Sequence, residues 1–261
     1  MADPVTGDRK TKRMSGMLIV TGGGRGIGAA TARLAAARGW DVCVNYRADA
    51  NAAATVVDGC RTMSVRAVAV RADIAVEADV VGLFDSAEQE LGPVRGLVNS
   101  AGVVDAYSRL ADMSADRIER MVAVNLIGTM LCCREAVRRM SSANGAVGGA
   151  IVNVSSRAAV LGSPGEYVDY AAAKAGVDSV TCGLAREVAA EGIRVNAVRP
   201  GLVRTDIHAA TGEPLRLDRL RPTIPMQREA EPDEIAEAVL WLLSPAASYV
   251  SGAILDVSGA R

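Results

Sequence analysis

The stretch MLIVTGGGRGIGAATARLAAARG, residues 17–39, joins a short apolar run to an alanine-rich segment through a cluster of glycines. The run at 17–21 has the length and composition of a buried strand, and residues 26–38 have the spacing of a helix. Glycine suits the connection because it lacks a Cβ atom and adopts backbone angles closed to other residues. The stretch therefore predicts a strand, a tight turn and a helix, the first unit of an α/β fold.

The rest of the chain repeats this alternation of short apolar runs and longer helical patterns. Further strands are predicted at 41–46, 65–70, 96–102, 150–156, 193–201 and 253–259. Further helices are predicted at 50–62, 76–91, 115–140, 167–191 and 232–244. Strands that alternate with helices pair in parallel, so we expect an α/β fold of three layers, a seven-stranded parallel sheet with helices on both faces.

Length and composition favour a single domain. The chain has 261 residues, of which 50% are hydrophobic and only 3% aromatic, so the core is expected to be aliphatic. No linker rich in proline or serine divides the chain, and we expect residues 17–261 to form one domain. Residues 1–16 carry charges but no apolar run, which predicts a disordered tail rather than a signal peptide.

The charge and cysteine patterns argue against several classes of protein. The formal net charge is −1 and both signs are spread along the chain, so neither nucleic acid nor a membrane surface is expected as a partner. No apolar segment approaches the length of a membrane span. The five cysteines form no C-x-x-C pair, which predicts no disulfide framework and no metal site. Free thiols favour a reducing compartment, and we expect a cytoplasmic protein.

The glycine turn predicts a binding site for a dinucleotide. Its glycines lie between a strand and the N-terminus of a helix, where free N–H groups and a positive potential attract a pyrophosphate. A glycine cluster alone would be weak support, but this one occupies the first strand–turn–helix unit. The glycines are Gly22, Gly23, Gly24, Gly26 and Gly28.

The end of the second predicted strand bears on the choice of dinucleotide. Sites selective for NAD place an acidic residue there to bind the ribose hydroxyls. This chain has Asn45, Tyr46 and Arg47 instead, and Arg47 and Arg25 can bind a 2′-phosphate. NADP(H) is therefore favoured over NAD. The alternative is that both arginines are ordinary surface charges.

The stretch GEYVDYAAAKAG, residues 165–176, contains two tyrosines and a lysine on one predicted helix. Tyr170 and Lys174 are one helical turn apart, which places their Cβ atoms about 5–6 Å from each other. A neighbouring ammonium lowers the pKa of a phenol by about 1–3 units, which makes Tyr170 a candidate general acid or base. The alternative is a tyrosine and a lysine on an exposed face. Tyr167 lies further from Lys174, and either substrate contact or packing would explain it.

Several motifs occur together in a recognisable order. They are TGGGRGIG at 21–28, Asp73, NSAG at 99–102, Asn125, VSS at 154–156, YAAAK at 170–174, RPG at 199–201 and Thr205. In this combination the chain closely resembles the short-chain dehydrogenase/reductase family, of the single-domain type that includes 3-oxoacyl-carrier-protein reductases and glucose 1-dehydrogenases. The resemblance implies a Rossmann fold and an oxidoreductase. Ser100 departs from the asparagine that is usual in the family.

The resemblance also implies residue roles. The catalytic residues would be Asn125, Ser156, Tyr170 and Lys174, with Ser155 as the competitor for Ser156. The cofactor-binding residues would be Gly22, Gly24, Arg25, Gly26, Ile27, Gly28, Asn45, Tyr46, Arg47, Asp73, Ile74, Asn99, Ala101, Gly102, Tyr170, Lys174, Pro200, Gly201, Val203 and Thr205. Family members are commonly tetramers, so a homotetramer is expected, with helices 115–140 and 167–191 and the last strand at its interfaces.

The segment 204–228 breaks the alternation, because it is long, polar and interrupted by prolines. A long connection beyond the carboxyl end of a parallel strand predicts a substrate lid. Its arginines either attract an anionic group or are solvated charges, and His208, the only histidine, is a substrate-side contact or an exposed residue.

The substrate is not identified by the sequence: a sugar, a ketone and a 3-oxoacyl thioester are all consistent with it. The alternative function is a nucleotide-binding regulator that has kept the fold without the chemistry. An epimerase or dehydratase on this fold usually has a longer chain with a substrate domain.

Overall fold

A computed structural model of the protein describes residues 16–205, residue 213 and residues 216–261, of which the side chain of Arg216 is not considered. Within this part of the chain the strands form one parallel sheet of order β3-β2-β1-β4-β5-β6-β7. The strands are β1 (Met17–Thr21), β2 (Asp41–Tyr46), β3 (Ala67–Arg71), β4 (Val94–Asn99), β5 (Gly149–Val154), β6 (Ile193–Pro200) and β7 (Ile254–Val257). The predicted Rossmann fold is confirmed, with strand ends that differ from the prediction by a few residues.

The helices cover both faces of the sheet. They are α1 (Gly26–Ala37), α2 (Ala50–Arg61), α3 (Glu77–Leu91), α4 (Ala115–Val122), α5 (Gly128–Met140), α6 (Ala158–Leu161), α7 (Val168–Val188), α8 (Arg216–Leu220) and α9 (Pro232–Leu243). Every predicted helix is present. The short helices α6 and α8 were not predicted, because neither is long enough to show a periodic pattern.

The core has two halves because side chains alternate across a strand. In β1, Leu18 and Val20 point into a cluster with α1, α2 and α9. Met17 and Ile19 point into a second cluster, with α3, α5 and α7. All of these strand residues are at most 1% exposed, as the predicted aliphatic core requires.

The predicted helix 115–140 is interrupted in the structure. Residues Ala123–Ile127 form a π-helical segment between α4 and α5. A π-helical turn is wider than an α-helical turn, so its residues do not repeat the 3.6-residue spacing. Such a segment is often found at a functional site, and this one contains Asn125.

The sheet brings the predicted motifs to one edge. The carboxyl ends of parallel strands lie on the same side, which is where ligands bind in folds of this kind. The glycine turn follows β1, the NSAG motif includes the end of β4, the two serines follow β5 and the RPG motif ends β6. No helix of the described residues is long and apolar enough to cross a membrane.

Candidate active site

A cavity of 630 Å³ opens at the carboxyl edge of the sheet. Most of the predicted site residues line it. They are Gly22, Gly24, Arg25, Gly26, Ile27, Gly28, Asn45, Tyr46, Arg47, Asp73, Ile74, Ala101, Gly102, Ser156, Tyr170, Lys174, Pro200, Gly201, Val203 and Thr205. Asn99 and Asn125 are buried and do not line the cavity.

The glycine turn has the geometry of an anion-binding loop. Gly22 and Gly26 have φ angles of 62° and 53°, a region that favours glycine. A Cβ atom on Gly28 would lie 2.4 Å from the carbonyl oxygen of Gly22, so a larger residue does not fit. Helix α1 begins without a side-chain cap and without an acidic residue in its first turn. Its free N–H groups and positive end therefore fit a pyrophosphate.

Two arginines lie at the end of the cavity next to β2. Arg25 is exposed, and the side chain of Arg47 is 61% exposed with Nη1 3.7 Å from Oδ2 of Asp73. Asp49 also lines this end, where its carboxylate caps α2 by accepting from the N–H of Ala52 at 2.9 Å. Asp49 was missed, although its position directly before an alanine-rich helix is a sequence signal for an N-cap.

Asn45 supports the turn from below. Its side chain is 2% exposed and accepts a hydrogen bond from the N–H of Gly22 at 3.3 Å. It also donates to the carbonyl oxygens of Val70 and Ala72, at 3.3 and 3.1 Å. These bonds join β1, β2 and β3 and hold the start of the glycine turn in place.

The two serines after β5 have different surroundings. Ser155 is 2% exposed, and its hydroxyl donates to the carbonyl oxygen of Lys174 at 3.2 Å. Ser156 is half-buried, and its Oγ accepts from the N–H of Ala158 at 3.1 Å. Because that bond uses only an acceptor position, the hydroxyl proton of Ser156 is available to a carbonyl in the cavity. This geometry favours Ser156 over Ser155.

Helix α7 places Tyr170 and Lys174 together, as its spacing predicts. The ammonium of Lys174 lies 5.7 Å from the centroid of the Tyr170 ring and donates to the carbonyl oxygen of Val154 at 2.8 Å. Lys174 is 4% exposed. Burial lowers the pKa of Lys174 to about 8, and the negative charge of Asp178 acts in the opposite direction.

Asn125 joins the π-helical segment to the chain that follows β4. Its amide donates to the carbonyl oxygens of Met121 and Val103, both at 3.0 Å, and its Oδ1 accepts from the N–H of Val103 at 3.1 Å. A Cβ atom on Gly102 would lie 2.9 Å from Oδ1 of Asn125 and 3.7 Å from Nζ of Lys174. Asn125 and Lys174 thus approach each other across a glycine. The local bond to Met121 is the one expected of any helical asparagine, but the bonds to Val103 are not local.

Asn99 lies beneath the cavity rather than beside it. Its Nδ2 donates to Oδ1 of Asn153 at 2.9 Å, and Nδ2 of Asn153 donates to Oγ1 of Thr181 at 2.9 Å. This chain joins β4, β5 and α7. The structure thus gives the Asn99 side chain a bracing position beneath the predicted binding surface.

The cavity also has lining residues that were not predicted. The apolar ones include Val104, Ala158, Leu161 and Leu202, and the polar or charged ones include Arg157, Ser163, Glu166 and Arg261. Tyr167 lines it as well, is 7% exposed, and contacts Tyr107 and Tyr170 with ring centroids 6.0 and 5.6 Å apart. No pattern in a single sequence distinguishes such wall residues from ordinary core residues.

The described parts of segment 204–228 are held by ion pairs. Glu229, 6% exposed, accepts from Arg204 at 2.7 Å and from Arg221 at 2.9 Å. The hydrogen bonds from Arg221 contribute most to lowering the pKa of Glu229 to about 2. Arg219 binds Glu213 at 2.6 Å, and Arg228 binds Glu234 at 2.7 Å. These arginines serve the protein's own carboxylates, which favours structural charges over a site for an anionic substrate.

The predictions for His208 and for the N-terminal tail concern residues that the structure does not describe. His208 and residues 1–15 lie outside the described residues. No group of His, Cys, Asp and Glu side chains in the described part of the chain has the arrangement of a metal site. The cysteines are free thiols, and burial raises the pKa of Cys43 and Cys133 to about 12.

A Rossmann sheet, a glycine turn before an uncapped helix and a Ser–Tyr–Lys group at one cavity define a nicotinamide-dependent dehydrogenase or reductase. The chain belongs to the short-chain dehydrogenase/reductase family. A family model described as Enoyl-(Acyl carrier protein) reductase matches residues 22–259. The protein is an NAD(P)-dependent oxidoreductase that acts on CH–OH groups or the corresponding carbonyls.

The chain is 50% identical to the uncharacterized oxidoreductase YgfF of Escherichia coli (strain K12), over 93% of this chain and 98% of that protein. It is 42% identical to a cis-4-hydroxycyclohexanecarboxylate dehydrogenase of Sinomonas cyclohexanicum, over 92% of this chain and 94% of that enzyme. Among solved structures, a short chain dehydrogenase from Burkholderia cenocepacia J2315 in complex with NADP is 32% identical. The match has a TM-score of 0.87 and covers 95% of this chain and 98% of the chain in that structure.

Proposed function

We propose that this protein transfers a hydride between NADP(H) and the carbonyl or secondary alcohol of a small molecule. The observation that carries the proposal is the meeting of Ser156, Tyr170 and Lys174 at the cavity that also contains the glycine turn. A nicotinamide bound there supplies the hydride in reduction and accepts it in oxidation.

The proposed roles of the side chains are those that the family resemblance implies, and the positions of Ser156, Tyr170 and Lys174 at one cavity support them. Ser156 donates a hydrogen bond to the carbonyl oxygen of the substrate, and Tyr170 donates the proton that this oxygen gains on reduction. In oxidation Tyr170 takes the proton back. Lys174 stabilises the phenolate of Tyr170 because its ammonium lies over the ring at 5.7 Å from the centroid. General acid–base catalysis of this kind contributes about 10²–10⁴ in rate.

Asn125 has a supporting role in this proposal. Its side chain fixes the backbone of Val103, next to Gly102, against the π-helical segment. Gly102 lies next to Lys174, since a Cβ atom on it would be 3.7 Å from Nζ of that lysine. The family resemblance further implies that Asn125 orders a water in a proton relay, and we include that role in the proposal.

The proposed cofactor is NADP(H), with NAD as the alternative. Gly22, Gly24, Gly26 and the start of α1 would hold the pyrophosphate, and Arg25 and Arg47 would bind the 2′-phosphate. The solved relative in complex with NADP supports this assignment. Asp73 and Asp49 oppose it in part, since their carboxylates share that end of the cavity.

The cofactor assignment is tested by exchanging charges at this end of the cavity. Arg47→Asp should reverse the preference for NADPH over NADH, because a carboxylate repels a 2′-phosphate and binds ribose hydroxyls. Asp49→Asn, as a matched variant, should strengthen NADPH binding. An unchanged ratio of kcat/KM for the two cofactors in Arg47→Asp would contradict the assignment.

For the substrate, the apolar side chains that line the cavity favour a cyclic or aliphatic ketone over a sugar. Side chains such as Leu161, Tyr167 and Leu202 offer few hydrogen bonds to sugar hydroxyls, and desolvating such hydroxyls without partners is costly. The named relatives that act on cis-4-hydroxycyclohexanecarboxylate and on 3β-hydroxysteroids support a cyclic secondary alcohol. A 3-oxoacyl thioester remains the alternative that other relatives support.

Oxidation of NADPH with a panel of cyclic ketones, sugars and acetoacetyl thioesters tests the function. Tyr170→Phe should lower kcat about 10²–10⁴-fold with any accepted substrate. An equally fast phenylalanine variant would refute the role of Tyr170. Tight NADPH binding without turnover of any substrate would favour the alternative function, a nucleotide-binding regulator.

The remaining proposals concern the whole protein: one domain at 17–261, a cytoplasmic location and a homotetramer. Exposed apolar side chains on the path from α4 to α5 support association, since Ile127 is 46% and Met130 48% exposed. Light scattering of the purified protein tests the tetramer directly, and a mass of one chain or two would refute it.

A further inference from the structure

A line of alternating charges leads from Lys174 to the wall of the cavity. Asp178 lies one helical turn after Lys174 on α7, and its Oδ2 accepts from Nε of Arg199 at 2.8 Å. Nη1 of Arg199 lies 3.7 Å from Oδ1 of Asp256. Oδ2 of Asp256 accepts from Nη1 of Arg157 at 2.6 Å, and Arg157 lines the cavity. The line therefore connects α7, β6, β7 and the segment after β5.

Lys174 needs a counter-charge because its ammonium is 4% exposed. Removing a charge from water is costly unless an opposite charge or hydrogen bonds replace the solvent. The carbonyl oxygen of Val154 supplies one hydrogen bond at 2.8 Å. Asp178, 8% exposed, supplies the charge, and its Oδ1 has no hydrogen-bond partner among the described residues. A carboxylate so placed acts on Lys174 through a medium of low dielectric.

The other titratable groups on the elements packed against α7 do not supply this charge. Asp169, on α7 itself, is paired with Arg117 of α4 at 2.9 Å. Cys133 of α5 is neutral, since burial raises its pKa to about 12. Tyr170 of α7 is the phenol on which Lys174 acts. Glu135 of α5 is paired with Arg138 and Arg139. Arg194 of β6 donates to carbonyl oxygens at the end of α9. The remaining groups, from β6, β7 and the residue before α6, are Arg199, Asp256 and Arg157, which belong to the charge line.

We propose that Asp178 is a positioning residue for the reaction: fixed by Arg199, its carboxylate keeps buried Lys174 in the ammonium form beside Tyr170 at neutral pH. Arg199 and Asp256 act one step further out by holding that carboxylate in place. A neutral lysine would no longer stabilise a phenolate, so Asp178 acts on Tyr170 through Lys174. The link to turnover rests on the proposed function, whereas the charge of Lys174 is measurable without turnover.

The chain offers a direct measurement, because Lys10, Lys12 and Lys174 are its only lysines. Protein labelled with ¹³C at lysine Cε, carrying Lys10→Arg and Lys12→Arg, gives one lysine resonance to titrate by NMR. Its midpoint should lie near 8. Asp178→Asn should lower the midpoint by about one unit or more. At any fixed pH, a fall of one unit lowers the ratio of ammonium to neutral amine tenfold. The alkaline limb of the pH profile of kcat/KM should move by the same amount.

Two further variants make the test specific. Glu187→Gln removes a carboxylate from the exposed side of the same helix and should leave the midpoint unchanged. Asp256→Asn removes a side chain that is 44% exposed, and should lower the midpoint by less than Asp178→Asn does. If Asp178→Asn does not fold, the midpoint in Asp256→Asn tests the inference instead.

An unchanged midpoint in both Asp178→Asn and Asp256→Asn would overturn the inference, and so would an equal fall in Glu187→Gln. A lower midpoint in a protein that turns over no substrate would refute the proposed function but support the role of Asp178 in charging Lys174.

Discussion

At the scale of single residues, Lys174 shows how the fold sets the chemistry of a side chain. Its neighbours leave it 4% exposed, and burial lowers its pKa to about 8 from the ordinary lysine value of 10.5. The charged form is therefore disfavoured in the folded state relative to the unfolded chain. Burying this ammonium therefore costs stability.

This cost predicts how stability changes with pH. Below about pH 8 the lysine is charged in both states and the cost is fully present. Between about 8 and 10.5 the unfolded state binds more protons, so the free energy of unfolding rises with pH, by about 3 kcal/mol from Lys174 alone. Urea unfolding of wild type and Lys174→Met across this range checks it. The difference between the two should grow in favour of the wild type as pH rises, and a constant difference would contradict the prediction.

Tyr167 is the other residue whose position suggests a function. Its ring stands edge-on to Tyr170, with an interplanar angle of 88°, and it lines the cavity. Tyr167→Phe keeps the ring and should leave kcat/KM nearly unchanged. Tyr167→Ala removes it, should cost about 3 kcal/mol of stability, and should shift the preference between cyclohexanone and a linear ketone. If the ratio of kcat/KM for the two ketones is the same in all three proteins, Tyr167 only packs.

The sequence predicts which residue types occur in the candidate site better than it predicts the surroundings of each residue. The spacing of Tyr170 and Lys174 is visible in the sequence because a helix repeats regularly. The difference between Ser155 and Ser156 is not, because it depends on which hydroxyl meets the carbonyl of Lys174. Asn99 was predicted beside the cofactor, but its partner Asn153 comes from a strand far away in the chain.

At the scale of elements, one arginine of β6 binds the carbonyl oxygens at the C-terminus of helix α9. Arg194 of β6 donates to the carbonyl oxygens of Leu242 and Val250 from Nη1 and to those of Leu243 and Ser244 from Nη2. The last carbonyls of a helix have no partner within it, so the guanidinium satisfies them and its charge complements the helix dipole.

Replacing this arginine should therefore destabilise the protein. Arg194→Met should lower the free energy of unfolding by about 2 kcal/mol or more, because carbonyls lose charged donors. The stability of Arg194→Lys should lie between those of wild type and Arg194→Met, because a lysine has no planar fork of donors to bind several carbonyls at once. Chemical denaturation measures both. Equal stability of wild type and Arg194→Met would show that water satisfies these carbonyls as well.

At the scale of the whole molecule, Glu229 fastens both ends of the segment that follows β6. It binds Arg204 at the start and Arg221 after α8, and the backbone of Arg204 donates to Ala230 at 2.9 Å. The segment is therefore closed at its base. Arg219 extends it toward the cavity, with Nη2 3.5 Å from Oε1 of Glu166.

Opening this base should loosen the segment without unfolding the sheet. Glu229→Gln should cost about 1.5–3 kcal/mol, the range for hydrogen bonds to charged groups, and should speed proteolysis between residues 204 and 229. The wild-type contribution is present above about pH 4.5 and is lost as pH falls toward about 2. Limited proteolysis with Glu237→Gln, an exposed carboxylate on α9, is the control. Equal cleavage rates in Glu229→Gln and wild type would contradict the prediction.

The overall architecture was predictable because alternation of strands and helices is written along the chain, and the seven-stranded sheet is confirmed. The loop 204–228 was recognisable only as an interruption. Its ion pairs depend on which arginine meets which glutamate, and a sequence rich in both offers many pairings. The break at Ala123–Ile127 was missed because five residues of wider spacing barely change a helical pattern.

That break also sets the rotational phase of everything after it. An α-helix advances by about 100° per residue, and the π-helical turn at Ala123–Ile127 takes up one extra residue. Rewinding these five residues as regular α-helix, with none removed, would therefore turn α5 by about that angle. Cys132, Ala136 and Met140, now in contact with the sheet, would swing toward solvent. The π-helical turn thus lets the side chain of Asn125 bind the backbone of Val103, while the three turns that follow pack into the core.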